Sequence, residues 1–249
     1  MKILVLGHTG MLGHMVYKYF SSKKCELIIT SKRWPSREFK DEIINFWHNF
    51  SGDYIINCIA AIPQRKKNNF DINVDLLVWL DNEIDSVSDK VKVIYPGSDI
   101  DEETSGYSIS KKNAHKFVID KSRNTKMIRT SIIGPELKLK DCTFEWFMNS
   151  KNKVYGWDKN YWNGITTLEW SKICYNIILD WNSYGILNTP STDCISKYNL
   201  LYIIKEVFNK DITIHKNSNV EINRCLERNI EVKDIRQQLV ELKEFYYDS

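Results

Sequence analysis

The sequence predicts an α/β protein with a doubly wound, mostly parallel sheet, and three observations support this. Residues 3–6 form a continuous apolar run without a helical period, which is typical of a strand buried on both faces of a parallel sheet. Gly7, Gly10 and Gly13 follow at once and lead into a helical pattern over residues 14–20. Further short apolar strands then alternate with helical segments, the order that produces parallel sheets.

Composition sets broad limits on function. The chain has 249 residues, of which 43% are hydrophobic and 27% charged, enough for one good core in a protein of ordinary globular composition. The net charge of +3 is too small to imply nucleic acid or a membrane surface. No apolar run approaches the length of a membrane span, so a cytoplasmic protein is expected.

The cysteines show no pattern typical of metal or disulfide sites. The six are widely scattered, without a CxxC pair or a histidine at ligand spacing: Cys25, Cys58, Cys142, Cys174, Cys194 and Cys225. For a cytoplasmic protein this predicts buried free thiols, with neither zinc nor disulfides.

The glycine-rich turn has the chemistry of a dinucleotide site. The first glycine permits the tight turn, the second lets the backbone approach a pyrophosphate, and the third lets the helix pack on the strand. N–H groups at the helix start then face the phosphates. This GxxGxxG spacing resembles the short-chain dehydrogenase/reductase superfamily, particularly its extended, sugar-nucleotide-modifying branch. The predicted cofactor contacts here are Gly7, Thr9, Gly10, Met11, Leu12 and Gly13.

The residues after the second predicted strand, 25–30, indicate which dinucleotide is bound. An acidic side chain there would accept a hydrogen bond from the adenine ribose and favour NAD. Ser31, Lys32 and Arg33 instead provide a hydroxyl and two cations, which suit a 2′-phosphate, so NADPH is the predicted cofactor. The alternative is that Lys32 and Arg33 are solvated loop residues.

The segment after the third predicted strand, 53–60, extends the resemblance. The run NCIAA looks like the N-A-A-like segment of extended reductases, which implies cofactor contacts from Cys58, Ile59, Ala60 and Ala61. Asn73 matches an asparagine that such enzymes place in the next helix near the active site; a role at the helix start is the alternative. The basic stretch 64–69 faces either a diphosphate or solvent.

A tyrosine and a lysine carry the predicted chemistry. Tyr107 and Lys111, in YSISK, are four residues apart and lie on one face of a helix. The lysine ammonium favours the phenolate and lowers a tyrosine pKa from about 10 toward working pH, so the tyrosine can exchange a proton with a carbonyl oxygen. Ser98, after the fourth predicted strand 91–95, is the candidate donor to the substrate carbonyl.

In the second half of the chain, WNGITTLEW at residues 162–170 resembles a segment of nucleotide-sugar reductases of the dTDP-4-dehydrorhamnose reductase type. A fifth strand is predicted over 126–133, and RTSIIGP looks like a segment that contacts the nicotinamide, through Ile132. The predicted domains are a Rossmann domain that binds NADP, 1–135, and a mainly substrate-binding region, 136–249, with segments returning to the sheet. The resemblance implies substrate contacts from Asp99, Trp157, Trp162 and Asn163. The tryptophans have core packing as their alternative.

The sequence departs from the family between the serine and the tyrosine. Ser98 and Tyr107 are only nine residues apart (107 − 98), whereas the family has a longer connection that opens with a serine-threonine-aspartate motif. Gly97-Ser98-Asp99 takes that place, and Ser105 or Ser108 are alternative catalytic hydroxyls.

The resemblance implies NADPH-dependent reduction of the C4 ketone of a nucleotide-linked 4-keto-6-deoxy sugar, of the dTDP- or UDP-4-dehydrorhamnose type. This reduction needs no metal. The resemblance also implies a homodimer. Two alternatives stay open. One is a bifunctional epimerase-reductase, which needs a further acid or base, for which Cys142 and His115 are the candidates. The other is a non-catalytic NADPH-binding subunit or sensor.

Overall fold

The computed structural model describes residues 1–50, 53–63, 69–87, 91–100, 104–138 and 140–248. The basic stretch 64–68 and residues 101–103 of the connection before Tyr107 lie outside these ranges. The chain forms two units: residues 1–129 with 171–188, and residues 130–170 with 189–249. Within the described ranges, no helix is long and apolar enough to cross a membrane.

The first unit is built on a six-stranded sheet in which every pairing is parallel. Its strands are β1 (Lys2–Leu6), β2 (Glu26–Ile29), β3 (Tyr54–Asn57), β4 (Lys92–Pro96), β5 (Thr125–Ile128) and β10 (Leu187–Asn188). The spatial order is β10-β5-β4-β3-β1-β2, so the winding direction reverses between β1 and β3. Ligands of such sheets bind outside the carboxyl ends of the strands at this reversal.

Helices cover both faces of this sheet, which makes it doubly wound. The helices are α1 (Met11–Ser21), α2 (Arg37–Phe50), α3 (Ile72–Val87), α4 (Gly106–Asp120) and, from residue 171 onward, α6 (Thr167–Leu179). Buried residues of α2 and α3, such as Phe39 and Leu80, pack with Leu4 and Leu6 of β1. On α1, the Phe20 ring packs edge-on against Tyr175 of α6, with centroids 5.5 Å apart. The apolar run of β1 is buried, as its composition predicts.

The described residues of the second unit form three small sheets, three whole helices and the start of α6. Its strands are β6 (Ile132–Ile133), β7 (Lys153–Trp157), β8 (Asn160–Trp162), β9 (Ile165–Thr166), β11 (Ile195–Ser196), β12 (Thr213–Asn217) and β13 (Ile222–Asn223). They pair as β11-β8-β13, β12-β7 and β6-β9. The helices are α5 (Thr143–Asn149), α7 (Lys197–Val207) and α8 (Ile235–Tyr246). The Ser196 hydroxyl caps α7 by accepting from the Asn199 N–H at 3.1 Å.

Two predictions about this part of the chain are wrong. The strand predicted over 126–133 is two strands: β5 ends at Ile128, and Ile132–Ile133 pairs with β9 instead. Cys194 and Cys225, predicted to be free thiols, form a disulfide with Cα atoms 5.8 Å apart. Both half-cystines are brought together by packing that the spacing of the cysteines does not reveal, because they are 31 residues apart. The other four cysteines form no disulfide among the described residues.

Candidate active site

The turn between β1 and α1 requires two of its glycines for steric reasons. Gly7 has φ +75°, a conformation that L side chains rarely adopt, and a Cβ there would lie 2.9 Å from the Cys58 carbonyl carbon. A Cβ on Gly13 would lie 2.1 Å from the Gly7 carbonyl oxygen, so no side chain fits where the helix packs on the turn. These are the roles predicted for the first and third glycines.

Gly10, by contrast, has open space in front of it. Its N–H donates to the Gly7 carbonyl at 2.9 Å, and a Cβ would meet only that carbonyl oxygen, at 3.4 Å. Gly10 is the N-cap of α1, whose first backbone bond runs from the His14 N–H to the Gly10 carbonyl at 3.0 Å. The N–H groups of Met11, Leu12 and Gly13 precede that bond, and the helix dipole adds positive potential. This cradle therefore fits a dinucleotide pyrophosphate.

The segment after β2 presents its polar side chains to solvent. Ser31, Lys32 and Arg33 are all exposed. The Lys32 N–H donates to the Thr30 hydroxyl at 3.0 Å, and that hydroxyl donates to the Glu42 carboxylate at 2.9 Å. Thr30 thus fixes the backbone from which the two cations project. Both cations are therefore accessible to a 2′-phosphate.

Asn73 of α3 holds the segment after β3. Its side-chain carbonyl accepts from the Ala61 N–H at 2.9 Å, and its amide donates to the Ala61 carbonyl at 3.1 Å. The Cys58 N–H donates to the Leu6 carbonyl at 2.9 Å, and burial raises the pKa of its thiol. Segment 58–61 is therefore fixed at both ends beside the glycine turn. Asn73 also accepts from the Tyr95 hydroxyl, at 2.7 Å through its backbone carbonyl.

A hydroxyl that the sequence analysis missed connects Asn73 to the tyrosine helix. The Asn73 amide donates to Ser110 Oγ at 3.0 Å, and Ser110 Oγ donates to the Tyr107 carbonyl at 2.7 Å. The Tyr107 ring packs against Phe70, with centroids 5.8 Å apart. The only sequence signal for Ser110 is its place between Tyr107 and Lys111. It couples the position of α4 to the segment predicted to contact the cofactor.

Lys111 is buried beneath the carboxyl end of β4. It is 6% exposed, its Nζ donates to the Pro96 carbonyl at 3.4 Å, and it lies 5.1 Å from the centre of the Tyr95 ring. Burial lowers the pKa of Lys111 from 10.5 to about 8. The ammonium form still predominates at neutral pH. Tyr107 is one helical turn away and lies close enough to raise the pKa of Tyr95, which burial also raises.

Ser98 is held by its backbone rather than by its hydroxyl. Its carbonyl accepts from Arg129 Nε at 3.1 Å, a contact that the sequence did not indicate. Among the described residues, its Oγ makes two contacts, and both are long: 3.3 Å from the Ile100 N–H and 3.4 Å from Asp99 Oδ1. Gly97 is needed just before it, because a Cβ there would lie 2.9 Å from the Arg129 Cα. The geometry leaves the Ser98 hydroxyl able to reorient toward a substrate.

The two alternative hydroxyls are used by the helix cap. Ser105 is the N-cap of α4, and its side chain accepts from the Ser108 N–H at 3.2 Å. Ser108 Oγ accepts from the Ser105 N–H at 3.0 Å and donates to the Ser105 carbonyl at 2.9 Å. This reciprocal capping box fixes the start of the helix that carries Tyr107. It favours Ser98 over Ser105 and Ser108 as the catalytic hydroxyl.

The residues predicted to contact substrate in the second unit differ in their surroundings. Trp157, at the end of β7, is 43% exposed, whereas Trp162 is 1% exposed and lies 5.2 Å from Lys197 Nζ. Asn163 uses its whole amide within the protein: Nδ2 donates to the Leu226 carbonyl at 2.8 Å, and Oδ1 accepts from the Leu226 N–H at 3.0 Å. Trp157 is thus the ring that is open to a ligand.

The remaining predicted residues lie as follows. Ile132 is half-buried in β6 of the second unit. Cys142 is the N-cap of α5, where its N–H donates to Glu136 Oε2 at 2.8 Å, and His115 is half-buried on α4. Among the residues that the structure describes, no three His, Cys, Asp or Glu side chains form a group that could hold a metal ion.

The fold is shared with proteins of known structure. The sequence matches no family model and none of the curated proteins. Among solved structures, the chain is similar to dTDP-4-dehydrorhamnose reductase from Bacillus anthracis in complex with NADP, with a TM-score of 0.81 and 13% identity over 100% of this chain and 99% of that one. The chain has the fold of the dTDP-4-dehydrorhamnose reductases. The predicted doubly wound α/β class is thereby confirmed.

Two further structures carry the same fold. The dTDP-4-dehydrorhamnose reductase from Clostridium acetobutylicum aligns with a TM-score of 0.72 and 17% identity, over 98% of this chain and 99% of that one. A GDP-L-fucose synthetase from Naegleria fowleri bound to NADP aligns with a TM-score of 0.71 and 14% identity, over 99% of this chain and 93% of that one. The similarity covers both units, so the second unit also belongs to the shared architecture.

Proposed function

We propose that this protein reduces the C4 ketone of a nucleotide-linked 4-keto-6-deoxy sugar, of the dTDP- or UDP-4-dehydrorhamnose type, with NADPH. The observation that carries the proposal is the chain of contacts from Ala61 through Asn73 and Ser110 to Tyr107, with Lys111 buried one turn away. It joins a cofactor segment to an acid–base pair. The fold shared with dTDP-4-dehydrorhamnose reductases supports the same substrate class.

The cofactor is proposed to lie over the carboxyl edge of the sheet. The N-terminus of α1 and the open face of Gly10 receive the pyrophosphate, the exposed Lys32 and Arg33 receive the 2′-phosphate, and segment 58–61 lines the cofactor beyond the turn. When bound, NADPH supplies the hydride. Two relatives of the fold are complexes with NADP, which supports this choice.

Three side chains are proposed to handle the proton and the developing charge. Tyr107 donates its phenolic proton to the ketone oxygen as that oxygen becomes an alkoxide. The Lys111 ammonium, charged at neutral pH and shielded from water, stabilises the phenolate that remains. Ser98 donates a hydrogen bond to the same oxygen and polarises the ketone, which its loosely held hydroxyl permits.

Residues of the second unit are proposed to bind the nucleotide sugar. The exposed Trp157 ring stacks on the base or sugar. Trp162 and Asn163 support the substrate-binding surface from beneath, because Trp162 is buried and the Asn163 amide is hydrogen-bonded to the Leu226 backbone. The second unit would therefore determine which nucleotide and sugar are accepted.

The test is NADPH oxidation, followed by absorbance, with dTDP- and UDP-4-keto-6-deoxy sugars made in situ by a dehydratase. Oxidation should depend on one of these sugars and fall by about 10²-fold or more in Tyr107→Phe. Tyr202→Phe, which removes a hydroxyl from α7, is the matched control and should retain the activity. Tight NADPH binding without oxidation in either sugar would refute the reductase and favour the non-catalytic sensor.

Similarity to a GDP-L-fucose synthetase keeps the epimerase-reductase as a second candidate. That activity exchanges a carbon-bound sugar proton with solvent, so reactions in D2O would place deuterium at C3 or C5 of the product. Loss of that deuterium in Cys142→Ser or His115→Gln, with reduction retained, would assign the extra acid or base. A homodimer stays a prediction, which sedimentation of the purified protein tests.

A further inference from the structure

The disulfide between Cys194 and Cys225 joins two distant parts of the second unit. Cys194 directly precedes β11, and Cys225 is the second residue after β13. Cys194 is exposed and Cys225 is half-buried. A sulfur on the Cys194 side is therefore accessible to an attacking thiolate, which thiol–disulfide exchange requires.

The chain around Cys225 has little regular structure of its own. Between Asn219 and Asp234, β13 provides only two strand residues. Segment 223–229 is held by the Asn163 amide on the Leu226 backbone and by the Arg224 N–H, which donates to the Tyr161 carbonyl at 3.1 Å. Asn229 adds two bonds to Thr189: its N–H donates to the Thr189 carbonyl at 3.1 Å, and its Oδ1 accepts from the Thr189 N–H at 2.6 Å.

An ion pair adds little to these contacts. Arg228 Nη1 lies 3.1 Å from Asp193 Oδ1, but the two side chains are 40% and 87% exposed. Pairs exposed to this extent contribute little to stability. The disulfide is thus the only covalent cross-link of a segment that is otherwise held by hydrogen bonds, so its state should determine how firmly the segment is held.

Three of the other four cysteines are poor exchange sites. Cys174 is buried and Cys58 is half-buried, and burial raises the pKa of both thiols. Burial also raises the pKa of Cys25. Since the thiolate is the reactive form, these thiols react slowly. The Cys194–Cys225 pair is the one set apart by accessibility.

We propose that Cys194–Cys225 is a reversible thiol–disulfide exchange site, at which a dithiol reductant releases segment 223–229. A thiolate of the reductant attacks Cys194 Sγ and forms a mixed disulfide, the Cys194–Cys225 bond breaks, and Cys225 leaves as a thiolate that takes a proton. The second thiol of the reductant then displaces Cys194. Two electrons pass to the cystine, and the reductant becomes a disulfide.

The contacts of Asn163 extend the effect to substrate binding, a step that rests on the proposed function. Leu226, next to Cys225, receives both hydrogen bonds of the Asn163 amide, and Asn163 follows Trp162 at the end of β8. Release of the segment should loosen this end of β8. Reduction should therefore raise the KM for the nucleotide sugar several-fold, while the Kd for NADPH, whose proposed contacts are mainly in the first unit, stays unchanged.

The first experiment does not depend on the reaction. The purified full chain is treated with dithiothreitol, its thiols are counted by labelling, and amide hydrogen exchange is measured. Two additional thiols should appear, and residues 223–229 should exchange about tenfold faster or more, while β1 and α1 remain unchanged. The double variant Cys194→Ser/Cys225→Ser should exchange fast without reductant. Cys142→Ser, which removes a free thiol, should still respond to the dithiol.

Two outcomes would overturn the proposal. The disulfide could resist the dithiol in the native protein and open only in urea, or it could open without faster exchange in 223–229. The kinetic arm separates this proposal from the proposed function. If reduction speeds amide exchange in 223–229 but no sugar is turned over, the thiol–disulfide exchange site is supported and the reductase is refuted. If the KM for the sugar is the same before and after reduction, only the proposed effect on substrate binding is refuted.

Discussion

Replacing Lys111 with methionine should abolish turnover and, at neutral pH, make the protein more stable. The side chain is 6% exposed, and burial lowers its pKa from 10.5 to about 8. The fold thus tolerates a charged group that would be better solvated in the unfolded chain. Methionine has a similar length and no charge, so the variant removes this cost.

The size of the effect follows from the pKa. The pKa of Lys111 is 2.5 lower in the folded protein than its ordinary value (10.5 − 8). Since one pKa unit is worth about 1.4 kcal/mol, the charged lysine destabilises the fold by roughly 3 kcal/mol. The variant loses the 3.4 Å bond to the Pro96 carbonyl and the contact with the Tyr95 ring, together worth about 1 to 2 kcal/mol. The net gain is therefore about 1 to 2 kcal/mol, or roughly 4 °C in Tm.

The pH dependence of the free energy of unfolding tests the direction of this effect independently. Because the folded pKa is lowered, the unfolded chain binds more protons between pH of about 8 and 10.5, and wild-type stability due to Lys111 rises with pH through that window. The advantage of Lys111→Met should shrink over the same range. Urea unfolding of the apo protein at several pH values measures this, with Lys112→Met, on the exposed side of α4, as control. A variant that is less stable at pH 7, or an advantage independent of pH, would refute the reasoning.

Two further predictions concern the turn and the serine. Gly13→Ala should destabilise the fold by about 1 to 3 kcal/mol, because its Cβ would lie 2.1 Å from the Gly7 carbonyl oxygen. Gly10→Ala should leave Tm unchanged and weaken NADPH binding about tenfold or more. Thermal unfolding measures the first effect, and fluorescence titration with NADPH measures the second. Arg129→Leu should lower kcat about tenfold with little change in the Kd for NADPH, because Ser98 loses the donor that positions its carbonyl; an equal loss in Arg123→Leu, an exposed control, would contradict this.

The first unit was predictable because its signals are local. The apolar run of β1, the three glycines and the four-residue spacing of Tyr107 and Lys111 lie within short stretches, and each stretch has one structure that suits it. The strand predicted over 126–133 shows the limit. Its apolar pattern continues through Ile133, yet the Arg129 N–H donates to the Asn188 carbonyl, and Ile132 pairs with Ile165. Pairing partners far along the chain decide where such a strand ends.

The second unit was less predictable because its contacts are long-range. Asn163 carries an amide that suits a sugar hydroxyl equally well, and only the fold brings it to the Leu226 backbone, 63 residues away. The disulfide has no motif either, and its prediction as free thiols followed from the scattered spacing of the cysteines and from an expected compartment.

This contrast has a physical origin. Proton transfer at a carbonyl requires a few groups at fixed short separations, and one helix can supply two of them, as α4 does with Tyr107 and Lys111. Recognition of a particular sugar requires a surface assembled from segments that meet only in the folded chain, as Asn163, Cys194 and Leu226 do. Under the proposed function, the reaction class follows from local spacing, whereas substrate choice would depend on long-range contacts such as those of Asn163. Variants at those contacts are the ones that should separate KM from kcat.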